Sequence, residues 1–148
     1  MATANWYGQS SLGQYSATAG RRVDWVGHTI VVTLHTATYA PNQDTHVFQS
    51  DLTNELSTGG GYTAGGLTLA GKTTAYDSTT NETRLDANDA TWTAMTNTFR
   101  YAVVACTTPG TAATNPLLGW VDLGATTITG TDFTIVWAAT GILKSTAA

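Results

Sequence analysis

Charged residues are scarce in this chain of 148 residues: six are basic and ten are acidic, which makes 11% in all and leaves a net charge of -4. In a typical soluble domain, about a quarter of the residues are charged. Binding to nucleic acid through its phosphates requires clustered Lys and Arg, and here only Arg21 and Arg22 are adjacent. The composition predicts no nucleic-acid binding, and a surface that is hydrated through hydroxyl and amide groups and partly covered by partners.

The sequence also has little cysteine and no long apolar run. Cys106 is the single cysteine, and its place in a strand-like segment predicts a buried, small apolar side chain rather than redox chemistry. No stretch of 18 apolar residues is present, and no basic segment followed by an apolar core stands at the start. We therefore expect neither a membrane span nor a signal peptide, and a protein made in the cytoplasm.

Motifs for catalysis and metal binding are missing as well. There is no Gly-x-Ser-x-Gly, no phosphate-binding loop and no close pair of histidines. The carboxylates Glu55, Glu82 and Asp86 are the candidates for a small glycan hydrolase, the weakest of the functional hypotheses. Asp86, Asn88 and Asp89 crowd oxygen ligands together but lack the pattern of a calcium loop, which favours a solvated turn. We predict no enzymatic activity, no cofactor and no metal.

The residues that are abundant are those of β proteins. About one residue in five is Thr, and the chain has 15 Gly, five Trp, six Tyr and three Phe. Thr, Val, Ile and aromatic side chains suit a pleated, half-buried surface, and Gly supplies turns between such runs. A chain of this length buries about two-thirds of its unfolded surface in one domain. The composition predicts a mainly β, single-domain protein.

Alternating apolar and polar residues predict the strands themselves. They fall at residues 29–36, 72–76, 82–86, 99–107, 116–123, 132–138 and 141–144. With turn signals between them, they favour an antiparallel β-sandwich or a small barrel with long Gly- and Thr-rich loops. The middle of the chain is predicted to contain a loop over 39–51, either with or without a helical turn, a short helix over 51–56, and a flexible Gly-rich excursion over 59–66 that is used for contact.

Residues 1–20 differ from the β domain predicted for residues 21–148. Their pattern fits a short helix from about Asn5 to Ser16, with Asn5 as its N-cap, or alternatively an extended arm. Aromatic side chains on this segment and on the polar loops suit docking onto a partner. The candidate interface residues are Trp6, Tyr7, Tyr15, Tyr39 and Tyr62.

Five groups of segments, spread over most of the chain, together form a recognisable sequence pattern. They are Ala4-Asn5-Trp6-Tyr7-Gly8, Tyr39-Ala40-Pro41-Asn42-Gln43-Asp44-Thr45-His46, Thr53-Asn54-Glu55 leading into Gly61-Tyr62-Thr63-Ala64-Gly65-Gly66, Arg100-Tyr101-Ala102-Val103, and Pro116-Leu117-Leu118-Gly119 followed by Asp122. Together they resemble small virion proteins encoded among the structural genes of long-tailed double-stranded DNA bacteriophages. These segments are whole-chain similarities and contain no catalytic motif.

The resemblance implies a virion role on the capsid surface. It suggests a capsid decoration or minor capsid protein that binds the outer surface of the major capsid protein lattice and stabilises it. A homo-oligomer is expected, with a trimer among the options because closed oligomers match lattice symmetry axes. The alternative is a tail or fibre component that binds a host surface carbohydrate. The chain departs from the pattern at Val31, where related proteins carry a charged residue, so we expect both faces of that strand to be covered.

Overall fold

The computed structural model describes residues 1–15 and 21–146, and within these ranges the protein is mainly β. The elements in chain order are β1 (Asn5–Trp6), α1 (Gly8–Tyr15), β2 (Ile30–His35), a 3-10 turn (Gln49–Asp51), β3 (Leu67–Thr68), β4 (Thr73–Asp77), β5 (Glu82–Asp86), β6 (Ala90–Cys106), β7 (Leu117–Ile135) and β8 (Leu143–Thr146). They form a five-stranded sheet in the order β1-β7-β6-β2-β3 and a three-stranded sheet in the order β4-β5-β8.

The predicted fold class is confirmed. All strand pairs in the two sheets are antiparallel, and the chain folds as a single domain. The sheets are not closed, so the barrel alternative does not apply. No helix in the described part of the chain is long and apolar enough to cross a membrane.

Strand β2 is buried on both of its faces. Ile30, Val32 and Leu34 belong to the main apolar core, which also holds Leu143 from the smaller sheet. Val31 packs on the other side, in a second core built around tyrosines and Leu117. Because successive side chains of a strand point to opposite faces, β2 contributes apolar side chains to both cores. The expectation that both faces at Val31 are covered is confirmed.

Strands β6 and β7 form one long hairpin, 17 and 19 residues in length. Near the loop between them, the hairpin is part of the five-stranded sheet, where β6 pairs with β2. Further out, residues 90–100 and 123–135 continue as a pair of strands that we call the outer ribbon. The strands predicted at 99–107, 116–123 and 132–138 are shorter than the observed ones. Thr- and Gly-rich residues that resemble a loop in the sequence remain paired in the outer ribbon.

The N-terminal segment contains both a strand and a helix. Asn5 pairs with Trp120 of β7, so it is a strand residue and not the predicted helix N-cap. The backbone then turns, with the Tyr7 amide donating to the Leu118 carbonyl at 3.1 Å, and α1 begins at Gly8. The predicted helix is confirmed over α1, while its predicted end at Ser16 lies outside the described residues. As far as it is described, this segment is joined to the large sheet.

The β4–β5 hairpin is confirmed close to its predicted bounds, and β8 lies two residues later than predicted. One face of this small sheet carries a network of charged side chains. Arg84 lies 2.7 Å from Asp77 and 3.1 Å from Glu82, and Lys144 lies 3.0 Å from Glu82. These contacts hold the three strands together on their solvent side.

Two predictions for the middle of the chain were wrong. No helix covers residues 51–56; instead Asp51 ends a 3-10 turn, and its carboxylate accepts hydrogen bonds from the amides of Val47 and Phe48 at 2.8 and 2.9 Å. The Gly-rich residues 59–66 are not a free excursion. Asn97 of β6 donates to the carbonyls of Gly59 and Gly60 at 3.1 and 2.7 Å, which fixes this loop on the outer ribbon.

Candidate binding cavity

Three of the five aromatic residues predicted to form an interface lie inside the protein. Tyr7, Tyr39 and Tyr62 are fully or almost fully buried. The prediction that they present a contact surface was wrong, because loops rich in polar residues fold back and pack their aromatic side chains in the monomer's own cores. Tyr15 is 86% exposed and Trp6 is partly exposed. For these two residues, contact with a partner remains a prediction.

The buried tyrosines are stabilised by partners for their hydroxyl groups. The hydroxyls of Tyr7 and Tyr39 lie 2.6 Å apart, and His46 Nδ1 lies 3.1 Å from that of Tyr39. The Tyr62 hydroxyl donates to Glu55 at 2.7 Å and accepts from the Leu34 amide at 3.1 Å. Burial raises the pKa of Tyr39 to about 12. Buried hydroxyls with satisfied hydrogen bonds position loops rather than recognise ligands.

Trp6 and Tyr15 line a single cavity of about 510 Å³. It lies between α1, the segment around Trp25, and one face of the small sheet, and its remaining lining residues are Ser11, Gln14, Val23, Asp24, Thr74, Thr83, Leu85, Leu118, Lys144 and Ser145. Ligand pockets typically have volumes of about 300–1,000 Å³. The structure therefore brings together two of the predicted contact residues at a concave site of suitable size.

Trp25 is the part of this cavity that sequence reasoning missed. Its side chain is 3% exposed, and its indole N–H donates to the Asp86 carbonyl at 2.9 Å. The indole N–H of Trp6 donates in the same way to the Lys144 carbonyl at 2.8 Å. Both indole N–H groups are thus used within the chain. What Trp6 and Trp25 can offer to a ligand is the surface of their rings.

Polar groups surround these rings. Asp24 accepts hydrogen bonds from the amides of Val26 and Gly27 at 3.1 and 2.9 Å, and the pKa of its carboxyl group is lowered chiefly by the Gly27 amide. The amide oxygen of Gln14 accepts from the Val23 amide at 3.3 Å. Among the described residues, the lining combines aromatic surface, hydroxyls, one carboxylate and a single cation, Lys144, so it has no cluster of cations that would hold a phosphate.

An exposed tyrosine extends this surface along the small sheet. Opposed residues of antiparallel strands share a face, and the pairs Thr74–Leu85 and Tyr76–Thr83 place Tyr76 on the face that lines the cavity. Tyr76 is 59% exposed, and its hydroxyl donates to Asn81 at 2.9 Å. No sequence signal separated Tyr76 from other strand residues, because exposure depends on which edge of the sheet β4 occupies.

The three carboxylates considered for hydrolysis have structural partners and do not form one cluster. Glu55 binds the Tyr62 hydroxyl and the Gly65 amide. Contacts with Lys144 and Arg84 lower the pKa of Glu82. Asp86 lies four residues further along β5 than Glu82, a separation of about 13 Å at about 3.3 Å per residue. Paired carboxylates of glycosidases lie about 5–9.5 Å apart.

In the described residues, the potential metal ligands do not cluster, and the lone cysteine is buried. Within residues 1–15 and 21–146, no three His, Cys, Asp or Glu side chains are grouped so that they could hold a metal ion. Asp86 and Asp89 accept hydrogen bonds from the backbone amides of Ala87 and Trp137, each at 2.9 Å, so both carboxylates have structural partners. Cys106 is fully buried in β6, as predicted, and burial raises the pKa of its thiol.

These features define an open, two-sheet antiparallel β protein with an aromatic-lined cavity beside its smaller sheet. Comparisons of the chain with protein-family models, with curated proteins and with solved structures found no match.

Proposed function

We propose that this chain is a structural protein of a bacteriophage virion, a capsid decoration or minor capsid protein without catalytic activity. It binds the outer surface of the major capsid lattice and stabilises it. The sequence segments that resemble virion proteins support this proposal. The observation that carries it is the exposed Tyr15 at a cavity lined by Trp6 and Trp25, on a chain with few charges.

Such a cavity suits the insertion of an apolar side chain from a partner protein. Interface hot spots are rich in Trp and Tyr and are centred on pockets that exclude water. Here the wall is formed by aromatic rings together with Val23, Leu85 and Leu118. A lattice presents the same partner surface many times, and several weak contacts then give firm attachment. The partner is the major capsid protein, and attachment occurs at the capsid surface.

The proposal is tested by adding the purified chain to capsids that lack it and measuring co-sedimentation. We expect saturable binding, and about thirtyfold weaker binding for Tyr15→Ala, which corresponds to a loss of about 2 kcal/mol. The control is Val136→Ala, since Val136 is also an exposed apolar residue but lies outside this cavity. The proposal fails if the unmodified chain does not bind capsids, or if the two variants bind equally well.

One observation favours a second function. The mixture of aromatic rings, hydroxyls, an amide and a carboxylate in the cavity also suits the apolar faces and hydroxyl groups of a sugar. A tail or fibre component that binds a host surface carbohydrate has such a site. Electron cryo-microscopy of the particle separates the two functions, because a decoration protein gives density at regular positions over the shell. Density confined to the tail supports the carbohydrate-binding function instead.

A further inference from the structure

Strand β4 is exposed to an unusual degree. Thr73, Thr74, Ala75 and Tyr76 are consecutive and all exposed, so both faces of the strand meet solvent. On one side β4 pairs with β5, and it is the last strand of its sheet on the other. A strand stabilised by so little burial, with a row of free backbone N–H and C=O groups, is a ready partner for another strand.

The other sheet edges in the described part of the chain are protected in ways that β4 is not. β1 and β3 are only two residues long. β8 carries Lys144, and the outer ribbon is interrupted on its β7 side by Gly124 and Gly130, both with positive φ. Short strands, lysines and irregular backbone are the usual devices that prevent edge-to-edge pairing. Residues 73–76 contain no glycine, proline, lysine or bulge.

The charges at the two ends of β4 favour an antiparallel partner strand of the same sequence. Lys72 precedes the strand and Asp77, which also pairs with Arg84 at 2.7 Å, ends it, while the residues between them are uncharged. If a second copy of β4 pairs antiparallel, the positive end of each strand lies beside the negative end of the other. A parallel arrangement places like charges together. Antiparallel self-pairing is also the arrangement that a two-fold axis produces.

We propose that the chain forms a symmetric dimer in which β4 pairs antiparallel with β4 of a second copy, with the two-fold axis at Ala75. This register places the smallest side chain of the strand opposite itself. It sets Thr74 opposite Tyr76 of the second copy, a β-branched and aromatic pair of the kind that stabilises sheets. It also keeps each Asp77 opposite Thr73 rather than opposite another aspartate.

The dimer has a geometric consequence for the cavity. Pairing joins the two small sheets into one six-stranded sheet, and a two-fold axis perpendicular to that sheet leaves equivalent faces on the same side. Thr74 and Thr83 line the cavity on one of these faces. Both cavities of the dimer therefore lie on the same side of the six-stranded sheet. Two equal binding sites on one dimer strengthen attachment to a repeating surface by multivalency.

The dimer is tested by sedimentation equilibrium of the purified chain over a range of concentrations. We expect a dimer, and we expect Ala75→Lys and Ala75→Glu each to be monomeric at concentrations where the unmodified chain is dimeric, because each places like charges opposite one another at the axis. An equimolar mixture of the two variants is expected to form a heterodimer. The control is Thr129→Lys, an exposed strand position in the outer ribbon, which leaves the dimer intact.

Several outcomes overturn the inference. A monomer at every concentration removes it, and so does a dimer or trimer that persists in Ala75→Lys, since another surface then joins the copies. Failure of the mixed variants to associate contradicts the proposed register. Circular dichroism of each variant shows whether the fold is retained. The experiment contains no capsid, so its result does not depend on the function proposed above.

Discussion

Strands β2 and β4 have similar lengths but opposite surroundings. All six residues of β2 are buried, and β2 has neighbours on both sides, β6 and β3. Four of the five residues of β4 are exposed, and β4 has one neighbour. Burial of apolar surface is the main source of stability. Strand β2 therefore holds the fold together, whereas the exposed side chains of β4 are available for contacts outside the monomer.

The largest change in stability is expected from truncation of a side chain in β2. Leu34 is fully buried in the main core, so Leu34→Ala removes packing and leaves a cavity. We expect the free energy of unfolding to fall by about 2–5 kcal/mol. The matched change in β4 is Tyr76→Ala, for which we expect the free energy of unfolding of the monomer to change by no more than about 0.5 kcal/mol. Urea denaturation measures both changes at concentrations where the chain is monomeric, because association of two copies would add to the apparent stability. Equal losses would contradict the division of roles.

A smaller effect, dependent on pH, is expected from His35 at the end of β2. His35 is fully buried; its ring nitrogens contact Thr33 Oγ1 at 2.9 Å and the Thr53 carbonyl at 2.8 Å, and Tyr39 packs on the ring. Burial lowers its pKa from 6.5, although the hydrogen bond with the Thr53 backbone and, to a smaller extent, the charge of Glu55 oppose this shift. The folded state thus binds fewer protons than the unfolded state once the pH falls below 6.5.

Stability is therefore expected to be constant above about pH 7 and to decrease as the pH falls from 6.5 towards the lowered pKa. A single group gives a slope of at most about 1.4 kcal/mol per pH unit. Urea denaturation measured between about pH 7.5 and 5, in steps of roughly half a pH unit, tests this dependence. In His35→Gln the slope in this range should flatten, and an unchanged slope would assign the effect to another group.

The smallest effect is expected in the outer ribbon. The hydroxyls of Thr98 and Thr127 lie 3.0 Å apart across the two strands on the exposed face. Cross-strand pairs of this kind contribute about 0.2–1 kcal/mol. We expect Thr98→Val to reduce the free energy of unfolding by no more than this amount, as measured by thermal unfolding. A loss as large as that of Leu34→Ala would place the ribbon among the elements that hold the fold together.

The regular parts of this fold could be predicted from the sequence, and the irregular parts could not. The alternation at residues 29–36 and the polar turn after β4 are local signals, and both elements lie where they were expected. The outer half of β6 carries no such signal. Ala94 has a positive φ of 48° and the register shifts around it, so the alternation of buried and exposed residues is broken. Gly124 and Gly130 hide the continuity of β7 in the same way.

Some of the residues that line the cavity could likewise be predicted from the sequence, and others could not. Trp6 and Tyr15 could be named from the sequence because large aromatic groups are conspicuous in a polar segment. Tyr7, Tyr39 and Tyr62 looked the same in the sequence, yet their hydroxyls find buried partners that lie up to 32 residues away in the chain. Trp25 joins the cavity through a hydrogen bond to Asp86, which is 61 residues away. Contacts over such distances have no local pattern that a sequence can display.

The pairing of β1 with β7 determines when the large sheet can be completed during folding. Asn5 pairs with Trp120, and the Ala4 amide donates to the Ile142 carbonyl at 2.7 Å. Strand β1 thus has its partners far along the chain, in β7 and just before β8. Proteins dominated by such non-local contacts fold slowly, in about milliseconds to seconds. On the ribosome, β1 remains without its partner until β7 has emerged, so the native large sheet is completed only after β7 has been made.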